Sequence, residues 1–144
     1  MATSAWNKFQ DFSEQFAKGV HQFGTHTFKV ALTNTAPVAT NTILANITQI
    51  ANGNGYTTGG GTTTMAVSET GGTTTVTGTE VVTTASGGSV GPFRYAVLYN
   101  DTATSPADAL VAWFDYGAAI TLGDGENFAV RFNNATPGTA FTLV

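Results

Sequence analysis

The chain contains no cysteine, so disulfides, thiolate nucleophiles and cysteine-ligated zinc are unavailable to it. Charge is scarce too. Only 10% of residues are charged, against about a quarter in an ordinary soluble domain. The basic residues number five, Lys8, Lys18, Lys29, Arg94 and Arg131, scattered along a chain of net charge −4. Phosphate binding needs a basic patch, so nucleic acid is not an expected partner. Anionic membranes are disfavoured for the same reason. No apolar run approaches the length of a membrane span. The opening "MATSAWNKFQDFSEQF" does not read as a signal peptide, because Lys8, Asp11 and Glu14 interrupt any apolar core.

What is there is a chain of 144 residues, the size of one domain, with 42% hydrophobic residues. That suffices for a core without disulfide or metal staples. Thr, Gly, Asn and Ser replace the missing charge. Trp6, Phe9, Phe12, Phe16, Val20 and Phe23 recur at helical spacing and fall within an arc of roughly 120° on a helical wheel. Residues 1–24 therefore read as an amphipathic helix with an aromatic face, Ser4 or Thr3 as N-cap and Gly24 as its stop. The face covers the chain's own sheet or docks on a partner, and the first reading is favoured.

Residues 25–144 read as a β-sandwich, with no internal repeat or domain boundary. "THTFKVALTN" alternates as a half-buried strand, and "ILANITQIA" is a helical turn or an irregular apolar segment. "NGNGYTTGGG" reads as a long flexible loop. "TTTMAVSET" and "TTTVTGTEVVTTA" flank a plausible hairpin turn at Gly71-Gly72. "GPFRYAVLYN", "LVAWFDYGAAITL" with a bend at Gly117, "NFAVRFN" and "TAFTLV" complete seven or eight strands. The expected fold is all-β, a jelly-roll-like sandwich with an N-terminal amphipathic helix. An immunoglobulin-like sandwich without the cysteine pair is the alternative. In "SVGPFRYAVLYNDTA", Phe93, Tyr95, Val97 and Tyr99 fall on one face, and Arg94, Ala96 and Leu98 on the other. Both faces are apolar, the pattern of a strand covered on both sides.

Candidate chemistry is sparse. Asp115, set among aromatics in "AWFDYG", could act as an acid if its pKa were raised. Its place in the alternation favours a cross-strand pair with Arg94 or Arg131. His21 and His26 lack the spacing and the acidic partner of a metal site. "GGG" at Gly59–Gly61 lacks the Lys-Ser or Lys-Thr of a phosphate loop. "NDT" and "DGE" offer oxygen atoms without calcium-loop spacing, so turn chemistry explains them better than a weak calcium site. The three Asn-x-Thr triplets, at Asn46, Asn100 and Asn134, arise readily by chance in so Thr-rich a chain. No catalytic, cofactor-binding or metal-binding residues are expected, and the chain does not read as an enzyme.

"FKVALTNTAPVATNT", "NGYTTGG", "GGSVGPFRYAVLYNDTA" and "WFDYGAAITLGDGENFAVRFN", in that order, resemble small virion structural proteins of tailed bacteriophages. Within that group the chain is most like the capsid cement or decoration proteins. The resemblance implies a jelly-roll fold, no enzymatic activity and no cofactor. It implies the major capsid protein and further copies of this chain as partners, with no role for nucleic acid or membrane. The implied location is the capsid exterior, with assembly in the bacterial host cytoplasm. Candidate interface residues are Trp6, Phe9, Phe12 and Phe16 on the helix, with Tyr95 and Tyr99, whose hydroxyls need partners. The alternative is a tail or fibre component binding a host glycan through Trp113, Tyr56 and Tyr99 near Asn100 and Asp101.

Overall fold

A computed structural model describes residues 2–144. The strands are β1 (Asn7–Lys8), β2 (Phe28–Thr33), β3 (Gly61–Thr63), β4 (Met65–Thr70), β5 (Thr73–Gly78), β6 (Val81–Thr84), β7 (Val90–Asn100), β8 (Leu110–Leu122), β9 (Asn127–Val130) and β10 (Gly138–Leu143). One α-helix, α1 (Gln10–Ala17), and one 3-10 turn at Leu44–Asn46 complete the regular structure among the described residues. The fold is all-β, and the strand pairings are antiparallel. One layer is a five-stranded sheet in the order β1-β8-β7-β2-β3, and the rest form β10-β5-β4 and β6-β9.

From β5 to β10 the chain is a single long hairpin folded over on itself. Its tip is the 101–109 loop. Tyr99 lies opposite Leu110 and Val90 opposite Leu122. Further down the legs, Thr84 faces Asn127 and Val81 faces Val130. Beyond a second interruption, Gly78 faces Gly138 and Thr74 faces Leu143. Both legs bend together at 85–89 against 123–126, where Ala85 N–H donates to the Glu126 carbonyl and Gly125 N–H to the Ala85 carbonyl. They bend again at 79–80 against 131–137. Gly, Asn, Ser and Pro concentrate at these bends, the residues that turns favour. Strands β1 and β2 flank the tip half of the hairpin, beside β8 and β7.

The main core fills the space between the layers. Phe28, Val30, Leu32, Phe93 and Leu98 meet Val76, Val81 and Phe132 there. Each such side chain contributes roughly 1.5–3 kcal/mol on burial. A second cluster lies on the opposite face of the five-stranded sheet, where Phe9 and Ile47 cover Ala31, Val97, Tyr99 and Leu110. Strand β7 is therefore covered on both sides by its own chain. Phe93 departs from the simple alternation and joins Ala96 and Leu98 in the main core. The cause is the irregular register of β7 on β8 between Phe93 and Tyr95.

The N-terminal helix is much shorter than residues 1–24. Asn7 and Lys8 pair as β1 with Trp113 and Ala112, and helix begins only at Gln10. The backbone there finds better partners on the β8 edge than in an isolated turn, since short helices are marginal in water. At the other end Gly19, at φ +77°, takes the left-handed conformation that stops a helix. Gly19 N–H donates to the Phe16 carbonyl and Val20 N–H to the Gln15 carbonyl, the paired bonds of a Schellman motif. The expected aromatic face is thus divided. Phe9 packs on one side of the five-stranded sheet, and Phe12 on the other.

The 53–61 segment, expected to be flexible, is pinned. Tyr56 Oη accepts from Leu32 N–H at 3.1 Å and donates to Gln49 Oε1 at 2.8 Å, and Tyr99 Oη donates to the Gly59 carbonyl at 2.6 Å. Gly60 lies so close to β2 that a Cβ there would sit 1.8 Å from the Val30 carbonyl oxygen.

Candidate functional site

The register irregularity in β7–β8 also shapes a cleft. Tyr95 faces Asp115, whereas Phe93 faces Ile120, so residues 116–119 bulge from β8. Bulges re-aim side chains, and here Tyr116 is turned outward with 39% of its surface exposed. The bulged wall faces Phe128 and Arg131 across a cleft of about 430 Å³. The N-terminal residues Ala2–Ser4 border it as well. Trp6 lines it, with ring centroids 5.7 Å from Phe114 and 5.4 Å from Phe141. Phe128 lies 5.0 Å from Phe93 and 5.5 Å from Tyr116.

Arg94 and Asp115 form a bidentate pair in the cleft wall. Arg94 Nε donates to Oδ1 at 2.8 Å and Nη2 to Oδ2 at 3.0 Å. Gly117 N–H also donates to Oδ1, and Asp115 N–H donates to Ser4 Oγ. The guanidinium, then the Gly117 N–H, hold the Asp115 carboxyl below the usual carboxylate range. An acid catalyst needs the opposite shift. Arg94 also lies over the Tyr95 ring at 5.3 Å. Across the cleft Arg131 donates to Glu80 at 2.7 Å. Both cations are neutralised, and the chemistry on offer is hydrogen bonding and stacking.

A second polar cluster lies near the end of β7. Asn100 Oδ1 accepts from Thr102 and Ala103 N–H, so its Nδ2 is the donor group. Nδ2 faces the Val20 carbonyl, His21 Nδ1 at 3.3 Å and His26 Nδ1 at 3.0 Å. Facing a donor, His21 Nδ1 is an acceptor, and the proton of the neutral ring sits on Nε2, which is buried without a partner. Burial, then the nearby His26, push the His21 pKa from 6.5 down to about 4. The convergence of two imidazoles on Asn100 was not visible in their spacing. Among the described residues, no group of three or more His, Asp or Glu is arranged to hold a metal ion.

The expected interface residues are dispersed. Phe9, Phe12 and Tyr99 are buried within this chain, because sealing the sheet requires its largest apolar side chains. They present no face to another subunit. Trp6, Phe16 and Tyr95 are half-buried, and of these Trp6 and Tyr95 line the cleft. The expected glycan constellation is not exposed as a group either. Tyr56, Tyr99 and Asn100 are buried, while Trp113 packs on Phe9 at 4.7 Å. The Arg94–Asp115 pair is where cross-strand reasoning placed it. Tyr116, Phe128, Asn133 and Asn134, all of which line the cleft, were missed, and the bend at Gly117 beside an aromatic run was the one signal for Tyr116.

Comparison with protein-family models, curated proteins and solved structures finds no match.

Proposed function

We propose that this chain is a non-enzymatic structural protein of a tailed-bacteriophage virion. In this reading it decorates the outer capsid shell and stabilises it. Its partners are the major capsid protein and other copies of itself, and assembly takes place in the host cytoplasm. The resemblance of its ordered segments to phage cement proteins supports the reading. The fold adds support, because a hairpin folded over on itself from β5 to β10 is the construction of a jelly-roll-like sandwich.

The observation that carries the proposal is the β4 edge. Every residue from Ala66 to Thr70 is exposed, and among the described residues β4 pairs only with β5. Natural edges are guarded by Lys, Pro or bulges. This one carries a single charge, Glu69, and exposes Val67. Such an edge accepts a further strand from a capsid protein or a sister subunit. Repetition over a symmetric shell then multiplies a weak contact through avidity.

Undecorated shells of the parent phage, mixed with the purified protein, test this by co-sedimentation. The wild type pellets with the shells and raises their resistance to heat. The Val67→Lys variant stays folded and remains in the supernatant. A wild type that never pellets contradicts the decoration role. Equal pelleting of both proteins contradicts the β4 contact.

A further inference from the structure

We propose that the cleft between β8 and β9 is a binding site for a neutral carbohydrate. The site lies away from the β4 edge and does not depend on the shell assignment. Its volume of about 430 Å³ falls within the range of small-ligand sites. Its chemistry narrows the ligand class in three steps.

The first is charge. The two arginines of the cleft are already matched, Arg94 by Asp115 and Arg131 by Glu80. Among the described residues that line the cleft, no uncompensated charge remains to recruit a phosphate, a carboxylate or an amine. The second is polarity. The Arg94–Asp115 pair keeps more than a third of each side chain in solvent, 39% and 35% respectively. A wholly apolar ligand would strip water from that pair with nothing in return, which is costly. Hydroxyl groups can replace the water, donating to the carboxylate and accepting from the guanidinium. The third is shape. Tyr116 offers an exposed ring beside the ion pair, and Trp6 lines the same space. Aromatic faces suit the C–H face of a sugar ring.

The polar edge is also preorganised. Asp115 is held by two bonds from Arg94 and one from Gly117 N–H. Little side-chain freedom is left to lose on binding, which favours recognition by so small a site.

Tryptophan fluorescence gives a direct test, because the chain has two tryptophans. Trp6 lines the cleft, and Trp113 packs on Phe9 on the other face of the sheet. The Trp113→Phe variant isolates the Trp6 signal. Saturation-transfer NMR on the unmodified protein serves as the second readout if that variant fails to fold. The probes are maltotriose, cellotriose, chitotriose, galactobiose and a rhamnose trisaccharide, with inorganic phosphate and anilinonaphthalene sulfonate alongside. At least one sugar gives a saturable response, weakened at least about tenfold by Tyr116→Ala and by Asp115→Asn. Both variants retain the wild-type circular dichroism. Three results overturn the proposal: no saturable response to any sugar, sugar binding unchanged in both variants, or a response confined to phosphate or the apolar dye.

Discussion

Strands β7 and β4 both pair in antiparallel sheets, yet they lie at opposite extremes of burial. Ala96, Val97, Leu98, Tyr99 and Asn100 of β7 are all buried, while Ala66 through Thr70 of β4 are all exposed. Propensity for the extended conformation does not by itself explain the contrast, because β4 holds the strand-favouring Val67 and Thr70 beside the disfavoured Ala66 and Glu69. Side-chain volume does. Large apolar residues on both faces of β7 attract cover from the opposing layer and from Phe9 and Ile47. Thr and Ser on β4 complete a sheet without drawing anything over it. One chain therefore makes a sealed plank and an open edge, and in the proposed reading it is the open edge that serves assembly.

The sharpest contrast is one substitution made twice. Val97→Asp buries a charge with no partner and unfolds the protein, at a cost of more than about 4 kcal/mol. Val67→Asp, at a site 48% exposed, changes stability by less than about 0.5 kcal/mol. Urea titrations of both variants measure the difference, and comparable losses would break the comparison. Glycines extend it. Gly60→Ala drives a Cβ into the Val30 carbonyl and costs about 2–4 kcal/mol by the same titration. Gly71→Ala, at the β4–β5 turn with open space around it, costs about 1 kcal/mol from backbone strain alone.

A titrating group lies against the end of the sealed strand, where His21 meets Asn100. His21 has a folded-state pKa of about 4 against 6.5 in an unfolded chain. Above pH 6.5 the ring is neutral in both states and stability is at its full value. As pH falls from 6.5 towards 4, the unfolded chain takes up the proton first and stability declines, by about 3 kcal/mol. Denaturation midpoints across that window show the decline in the wild type and a flatter profile in His21→Gln. The half-exposed ion pair also contributes little, because water screens it. Arg94→Ala leaves the denaturation midpoint nearly unchanged, so a loss of sugar binding in that variant would report on the cleft, not on the fold.

Strands β2, β7 and β8 and the Gly71-Gly72 turn were legible because alternation and turn residues are local signals. The Arg94–Asp115 pair was legible for a related reason, since adjacent strands bring such residues opposite one another. The long helix was an over-reading. Trp6, Phe9, Phe12 and Phe16 do recur at helical spacing, but their targets lie on different faces of the sheet. Spacing along the chain carries no record of which layer a side chain enters. The cleft was illegible for the same reason. Its walls come from the N-terminus, β7, β8, β9 and the turn after β9, and only a register shift in β7–β8 opens it. Tyr56 and Tyr99 looked like surface aromatics because Tyr56 itself, and the Gly59 carbonyl that Tyr99 reaches, lie in a glycine-rich loop expected to be mobile.

Hydrogen exchange read by mass spectrometry, on the free protein and on the protein bound to shells, tests the central claim most directly. In the free protein, amides of β7 exchange only through global unfolding, and the outer amides of β4 exchange fast. On shells, protection rises at Ala66–Thr70 and stays unchanged over Phe9, Phe12 and Tyr99. Protection that appears at the aromatic residues and not at β4 would contradict the account.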